Sequence, residues 1–80
     1  MTREHLALTL EVPSPDRLGE VAENIQQRLN GRVRAFRLSV SNEGLVLEGH
    51  TSTYYTKQLA QHLVMEAIDL PIRVNAIKVI

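Results

Sequence analysis

The sequence predicts an α+β fold, a two-layer sandwich in which two helices pack on one face of a three- to four-stranded sheet. Three observations lead to this prediction. Residues 6–12 alternate between apolar and polar side chains, which is typical of a half-buried strand. Apolar residues recur at helical spacing in two places, from Leu18 to Leu29 and from Leu59 to Ala67. Between these stretches, residues 36–47 form two apolar runs joined by a turn sequence, which predicts a hairpin.

The length of 80 residues predicts one domain that spans the whole chain, residues 1–80. A chain of this size buries only about 60 to 65 % of its unfolded surface, so one sheet with two helices is close to the limit of its core. Residues 1–15 provide an additional N-terminal strand and its connector.

The first strand and the first helix have clear local signals. Pro13 ends the strand over residues 6–12, because proline lacks the amide donor that a sheet requires. Ser14 is a candidate N-cap, and Pro15 suits the first helical position. Gly31 is expected to end the helix in a left-handed conformation.

The second half of the chain is predicted as hairpin, helix and strand. The hairpin turn contains Asn42, Glu43 and Gly44, residue types that tolerate positive φ, and Gly49 is expected to close the next strand. Residues 51–53 supply N-cap candidates for the second helix. Pro71 ends this helix region, and residues 72–80 form the last strand.

The resulting order is β-α-β-β-α-β. Each helix has a single apolar stripe, so both helices are expected to cover the same face of the sheet and to leave the other face open. Right-handed crossovers favour a ferredoxin-like arrangement, in which the first strand lies between the third and the fourth. Without that first strand, the third and fourth strands would run parallel side by side.

Composition argues against several functional classes. Nine Lys and Arg residues balance nine Asp and Glu residues, which disfavours non-specific binding to nucleic acid. The chain has no cysteine, and its three histidines have no spacing that suggests a metal site. Residues 1–5 lack the apolar run of a signal peptide, so we expect a cytoplasmic protein if the chain is full length, and a periplasmic or envelope protein if a signal was removed.

The hairpin and the elements after it resemble the BON domain family, small bacterial modules of envelope, osmotic-stress and nodulation proteins. The resemblance covers about residues 16–79. It consists of the turn glycine Gly44, the strand glycine Gly49, a polar helix start followed by Lys57 and Ala60, and the ending that contains Asn75, Ile77 and Val79. This resemblance implies a non-catalytic domain that binds phospholipid or other envelope components.

Three arginines are candidates for binding an anion or a lipid headgroup: Arg32, Arg34 and Arg37. Guanidinium groups bind phosphate in a bidentate manner. The alternative is a solvated strand edge, with Arg32 close to the negative end of the first helix.

Two groups of exposed apolar side chains are candidates for a partner surface. Tyr54 and Tyr55 fall outside the centre of the second helical stripe, and such amphipathic rings suit a membrane interface or a protein partner. The alternative places these rings over the end of the hairpin. The open sheet face is expected to carry Val46, Val74, Ala76 and Ile80, which a monomer would leave in contact with water.

We therefore expect a binding or interaction module without a catalytic residue, metal or cofactor. A protein partner or self-association is the first hypothesis, and a phospholipid surface is the second. A small-metabolite regulatory domain of the ferredoxin-like kind is the alternative. The sequence has neither the strand aromatics of an RNA-recognition domain nor a transmembrane segment.

Overall fold

The computed structural model describes residues 13–42 and 44–80. These residues form helix α1 (Pro15–Arg28), strands β1 (Arg34–Ser41) and β2 (Gly44–Thr51), helix α2 (Tyr54–Ala67) and strand β3 (Ile72–Val79). The α+β class is confirmed for this part of the chain. The strand predicted over residues 6–12 lies outside the described residues.

Helix α1 begins and ends through local hydrogen bonds that the sequence predicts. The hydroxyl of Ser14 accepts from the amide of Arg17 at 3.1 Å, and Pro15 is the first helical residue. At the other end, Asn30 and Gly31 both have positive φ, and their amides donate to the carbonyls of Gln27 and Gln26. This is a Schellman motif, and it satisfies carbonyls that would otherwise lack a partner.

Helix α2 is capped by Thr53. Its hydroxyl oxygen accepts from the amide of Thr56 at 3.1 Å and donates to the Thr56 hydroxyl at 2.8 Å. Both threonine side chains are thereby satisfied at the start of the helix. Thr53 is thus the N-cap among the candidates over residues 51–53.

The three strands form one mixed sheet in the order β1-β2-β3. Strand β1 pairs with β2 as an antiparallel hairpin, and Asn42 in its turn has a φ of 52°. Strand β3 lies directly beside β2 and parallel to it. The expectation that a strand lies between the third and fourth strands is therefore wrong, because these two strands share backbone hydrogen bonds.

The core lies between the helices and one face of the sheet. Both helices contribute fully buried side chains, including Ile25 from α1 and Val64 from α2, which join Leu45, Leu47 and Ile77 of the sheet in one cluster. Within the described residues, the opposite face of the sheet carries exposed side chains. A two-layer arrangement with both helices on one face accounts for these facts.

Gly49 has a different role from the strand end expected for it. Strand β2 continues to Thr51, and Gly49 lies inside it with a φ of 152°. A Cβ atom here would lie 2.7 Å from Val33 Cγ1, because β1 contains a bulge where Ala35 adopts a φ of 53°. Gly49 thus allows the chain before the bulge to approach β2 closely.

Glycine is also required at position 44 because β3 approaches it closely, and not because of a turn conformation. It is the first residue of β2, and a Cβ atom there would lie 2.9 Å from the Cβ of Arg73. The pairing of β2 with β3 shifts by one residue at this point, between Leu45 and Val46. The shift places Arg73 against Gly44, so a larger residue at position 44 would clash.

Among the described helices, neither is long and apolar enough to cross a membrane.

Candidate functional site

A cleft of about 710 Å³ opens at the end of the molecule where β2 ends and α2 begins. The chain between α1 and β1 provides one wall of the cleft, and the end of β2 with the first turn of α2 provides another. Ile80 closes the cleft. The lining residues are Gly31, Arg32, Arg34, His50, Thr51, Ser52, Thr53, Tyr55, Thr56 and Ile80. This volume lies within the range of about 300 to 1,000 Å³ that is typical of small-molecule sites.

The fold brings these residues together in two ways. Strand β1 pairs Arg34 with His50 near the end of β2, and the Gly49 contact holds the preceding residues close to that strand. Strand β3 ends beside β2, where the amide of Ile80 donates to the carbonyl of Thr51 at 2.9 Å. The cleft is thus formed by segments that are distant in the sequence.

The cleft is basic. Arg32 and Arg34 line it together with His50, and no Asp or Glu is among its lining residues. The amino terminus of α2 faces the same space, and helix amino termini favour negative charge. The carboxyl end of α1 is also near, but its carbonyls accept from the amides of Asn30, Gly31 and Arg32. An anion in the cleft would therefore meet positive groups and few free carbonyls.

The rim of the cleft carries exposed apolar surface. Tyr55 is 70 % exposed and Ile80 is 81 % exposed, and both line the cleft. The adjacent Tyr54 is 64 % exposed, and its hydroxyl accepts from the side-chain amide of Gln58 at 2.7 Å. One aromatic ring and one aliphatic side chain thus line the basic cleft, and a second exposed ring belongs to the preceding residue in the chain.

The third predicted arginine, Arg37, does not belong to this site. It lies on the open face of the sheet opposite Glu48, and the two side chains form an exposed ion pair at 3.6 Å. The separation lies along the strand, because Arg34 pairs with His50 near the end of β2 and Arg37 pairs with Glu48, two residues nearer its middle, with the bulge between them. The structure therefore brings together only Arg32 and Arg34 of the three candidates.

The open face of the sheet carries a small apolar group. Val46 is half-buried and lies opposite Val74, which is 44 % exposed, and Ala76 follows on the same face of β3. Charged side chains surround this group, with Glu48 opposite Ala76 and Lys78 further along β3. Ile80, expected on this face, follows the last residue of β3 and lines the cleft.

Thr51 was not distinguished from its neighbours by sequence reasoning. Its side chain is only 5 % exposed, it lines the cleft, and its hydroxyl oxygen has no hydrogen-bond partner. A threonine in the series of residues 51–53 indicates a helix cap, and nothing in that pattern reveals a buried hydroxyl. The sequence did not distinguish His50 either, and its pairing with Arg34 places it at the cleft.

The described residues contain no group of three or more His, Cys, Asp or Glu side chains that could hold a metal ion. No protein-family model matches the sequence, and no curated protein or solved structure is significantly similar to it. The class that the fold and the site define is a small α+β domain with a basic cleft at the amino terminus of its second helix.

Proposed function

We propose that this chain is a non-catalytic binding module that docks on anionic phospholipid surfaces through the end of the molecule that contains the cleft. The observation that carries the proposal is the clustering of Arg32 and Arg34 with the exposed side chains of Tyr55 and Ile80 at the cleft, next to the exposed ring of Tyr54. Arginines attract anionic headgroups, and amphipathic rings partition into the membrane interface. The resemblance to BON domains points to the same class of ligand.

Electrostatic attraction provides the specificity for anionic lipid. Each arginine near such a surface contributes about 1 kcal/mol, so Arg32 and Arg34 together contribute about 2 kcal/mol, which is roughly thirtyfold in affinity. Because this attraction is screened within a Debye length, binding is expected to weaken as salt is added. The rings of Tyr54 and Tyr55 contribute a part that salt does not weaken.

Co-sedimentation with vesicles tests the proposal. We expect the protein to bind vesicles of phosphatidylcholine mixed with phosphatidylglycerol at low salt, and to bind pure phosphatidylcholine much less. Arg34→Gln should weaken binding about fivefold, the loss of about 1 kcal/mol. Arg37→Gln is the matched control, because it removes the same charge from the same strand outside the cleft.

Two results would contradict the proposal. One is the absence of binding to the anionic vesicles at low salt. The other is an equal loss of binding in Arg34→Gln and Arg37→Gln, because net charge rather than the cleft would then determine the interaction.

Self-association over the open sheet face is the second candidate function. The observation that favours it is the pairing of Val46 with Val74 beside Ala76, which places three apolar side chains together on that face. The surrounding charges make this a small patch, so we rank it below the cleft. A mass measured by light scattering at high concentration tests it, and a monomer would exclude this candidate.

The small-metabolite alternative depended on a ferredoxin-like sheet. The direct pairing of β2 with β3 does not match that sheet, so this alternative has less support than the other two candidates.

A further inference from the structure

Strand β3 lies at the edge of the sheet. Within the described residues, the order β1-β2-β3 leaves one side of β3 without a neighbouring strand. The amide of Ile80 donates to the Thr51 carbonyl of β2. Because the backbone groups of successive residues in a strand point to opposite sides, the amides of Asn75, Ile77 and Val79 point away from β2. Such a row of outward backbone groups is the surface through which sheets pair with another chain.

The two edges of the sheet differ in how they resist such pairing. Strand β1 contains the bulge between Arg34 and Arg37, and a bulge makes an edge irregular. Strand β3 pairs with β2 in unbroken register from Val74 to Val79, and it contains no proline. Short apolar segments with few charges tend to pair with copies of themselves. The regular edge of β3 therefore requires another form of protection.

The side chain of Asn75 covers part of this edge. Its Oδ1 atom accepts from the outward amide of Ile77 at 3.2 Å. Its Nδ2 atom donates to the Lys57 carbonyl at 3.3 Å and to the Gln61 side chain at 3.0 Å. Helix α2 thus holds the Asn75 side chain in place, and that side chain satisfies the middle amide of the outward row.

The same amide would be needed if two copies of β3 paired. In an antiparallel pair centred on Ala76, Ile77 of one copy lies opposite residue 75 of the other, and the two residues exchange backbone hydrogen bonds. The Ile77 amide cannot make this bond while it donates to Asn75 Oδ1. This pairing would also place the exposed Val74 of each copy beside the other copy on one continuous sheet face.

We infer that Asn75 closes the outer edge of β3 and so prevents a second copy of this chain from extending the sheet. The inference goes beyond the proposed function, because it uses neither the cleft nor a lipid. Vesicle binding and edge closure can therefore each fail without the other.

Amide hydrogen exchange of the wild-type protein is the first test. Ile77 and Val79 both point outward, and Asn75 supplies an acceptor to Ile77. The Ile77 amide should therefore exchange at least about fivefold more slowly than the Val79 amide, the effect of one hydrogen bond. Equally fast exchange at both amides would overturn the inference. Equally slow exchange would also overturn it, because another strand would then already cover this edge.

Two variants at one position separate the cap from the contacts with α2. Asn75→Val and Asn75→Asp both remove the donor to Lys57 and Gln61, but aspartate keeps an oxygen that accepts from the Ile77 amide. Asn75→Val should self-associate at least about tenfold more tightly than Asn75→Asp or the wild type, because the Ile77 amide of each copy becomes available. Light scattering over a range of protein concentrations measures this difference. Equal association of the two variants would overturn the inference, whether both associate or neither does.

The control Gln61→Ala removes a contact of the Asn75 amide and leaves the Oδ1 acceptor in place. It should lose stability and associate no more than the wild type, which separates edge pairing from aggregation of unfolded chains. In associated Asn75→Val, the Val79 amide should become protected from exchange. Protection confined to β1 would overturn the inference. The exchange test on the wild type decides the matter even if Asn75→Val does not fold.

Discussion

Replacement of Gly49 by alanine is expected to destabilise the protein severely. An added Cβ would lie 2.7 Å from Val33 Cγ1 and 3.0 Å from the Arg34 carbonyl oxygen. Val33 is fully buried, so its side chain has no space into which it can rotate. The φ of 152° at Gly49 is also one that residues with a side chain rarely adopt.

The magnitude follows from these two effects. Insertion of a methyl group into a packed site costs about 1 to 3 kcal/mol, and an unfavourable backbone conformation costs about 1 to 3 kcal/mol. We expect Gly49→Ala to lower the free energy of unfolding by about 3 kcal/mol, because a backbone shift that relieves the steric clash also partly relieves the backbone strain. At roughly 4 to 8 °C per kcal/mol for a domain of this size, Tm should fall by about 12 to 24 °C.

Urea unfolding and thermal unfolding measure this loss, and two other glycines serve as controls. A Cβ atom would meet nothing within 4 Å at Gly31 or at Gly19. Gly31→Ala should cost about 1 kcal/mol, because φ is 70° there, and Gly19→Ala should stabilise helix α1 by about 0.5 to 1 kcal/mol. If the free energy of unfolding of Gly49→Ala lies within about 0.5 kcal/mol of the wild-type value, the close packing of the β1 bulge on β2 is refuted.

Two further predictions concern the contacts of β3. Gly44→Ala should lower the free energy of unfolding in urea by about 1 to 3 kcal/mol, because its Cβ would lie 2.9 Å from the Cβ of Arg73. The double variant with Arg73→Gly should recover part of this loss. Full additivity of the two changes would contradict this explanation. Asn75→Ala should lower the free energy of unfolding by about 1 to 2 kcal/mol, because the Asn75 side-chain nitrogen donates to the Lys57 carbonyl at 3.3 Å and to the Gln61 side chain at 3.0 Å. The control Asn24→Ala, on the exposed side of α1, should change it by less than about 0.5 kcal/mol.

The helices were predicted from the sequence more completely than the sheet. Ser14, Pro15 and Gly31 determine the ends of α1 through hydrogen bonds between residues that are close in the chain, and such bonds leave a local pattern. Strand order depends on which distant segments pair, and alternation of side chains does not specify a neighbour. The sequence therefore allowed both the interposed strand and the direct pairing of β2 with β3.

The roles of two glycines also depend on contacts between distant segments, which a local sequence pattern does not specify. Both Gly44 and Gly49 were interpreted from residue type as devices of turns and strand ends. In the structure each one faces a backbone segment far away in the sequence, Gly44 at Arg73 and Gly49 at the β1 bulge. A close approach of this kind has no local signature, because it arises only after the sheet has formed.

The candidate site was predicted in part. Arg32, Arg34 and the tyrosines were identified by residue type, and Arg37 was grouped with them although it lies outside the cleft. Thr51 gave no signal, because the burial of its unpartnered hydroxyl is a property of the folded protein. The donors on the α2 backbone likewise depend on where the helix begins rather than on which side chains it contains.

The cleft depends on the direct pairing of β2 with β3, which the sequence allowed only as the alternative to an interposed strand. Direct pairing allows the Ile80 amide to bond to the Thr51 carbonyl, which closes the cleft beside the start of α2. An interposed strand would move Ile80 away from Thr51 by about 4.8 Å, the spacing of neighbouring strands, and would open this wall to water. The parallel pair also requires a helical crossover, and that crossover is α2, whose amino terminus must follow the end of β2. The direct pairing of β2 with β3 therefore places Ile80 and the start of α2 at the same cleft.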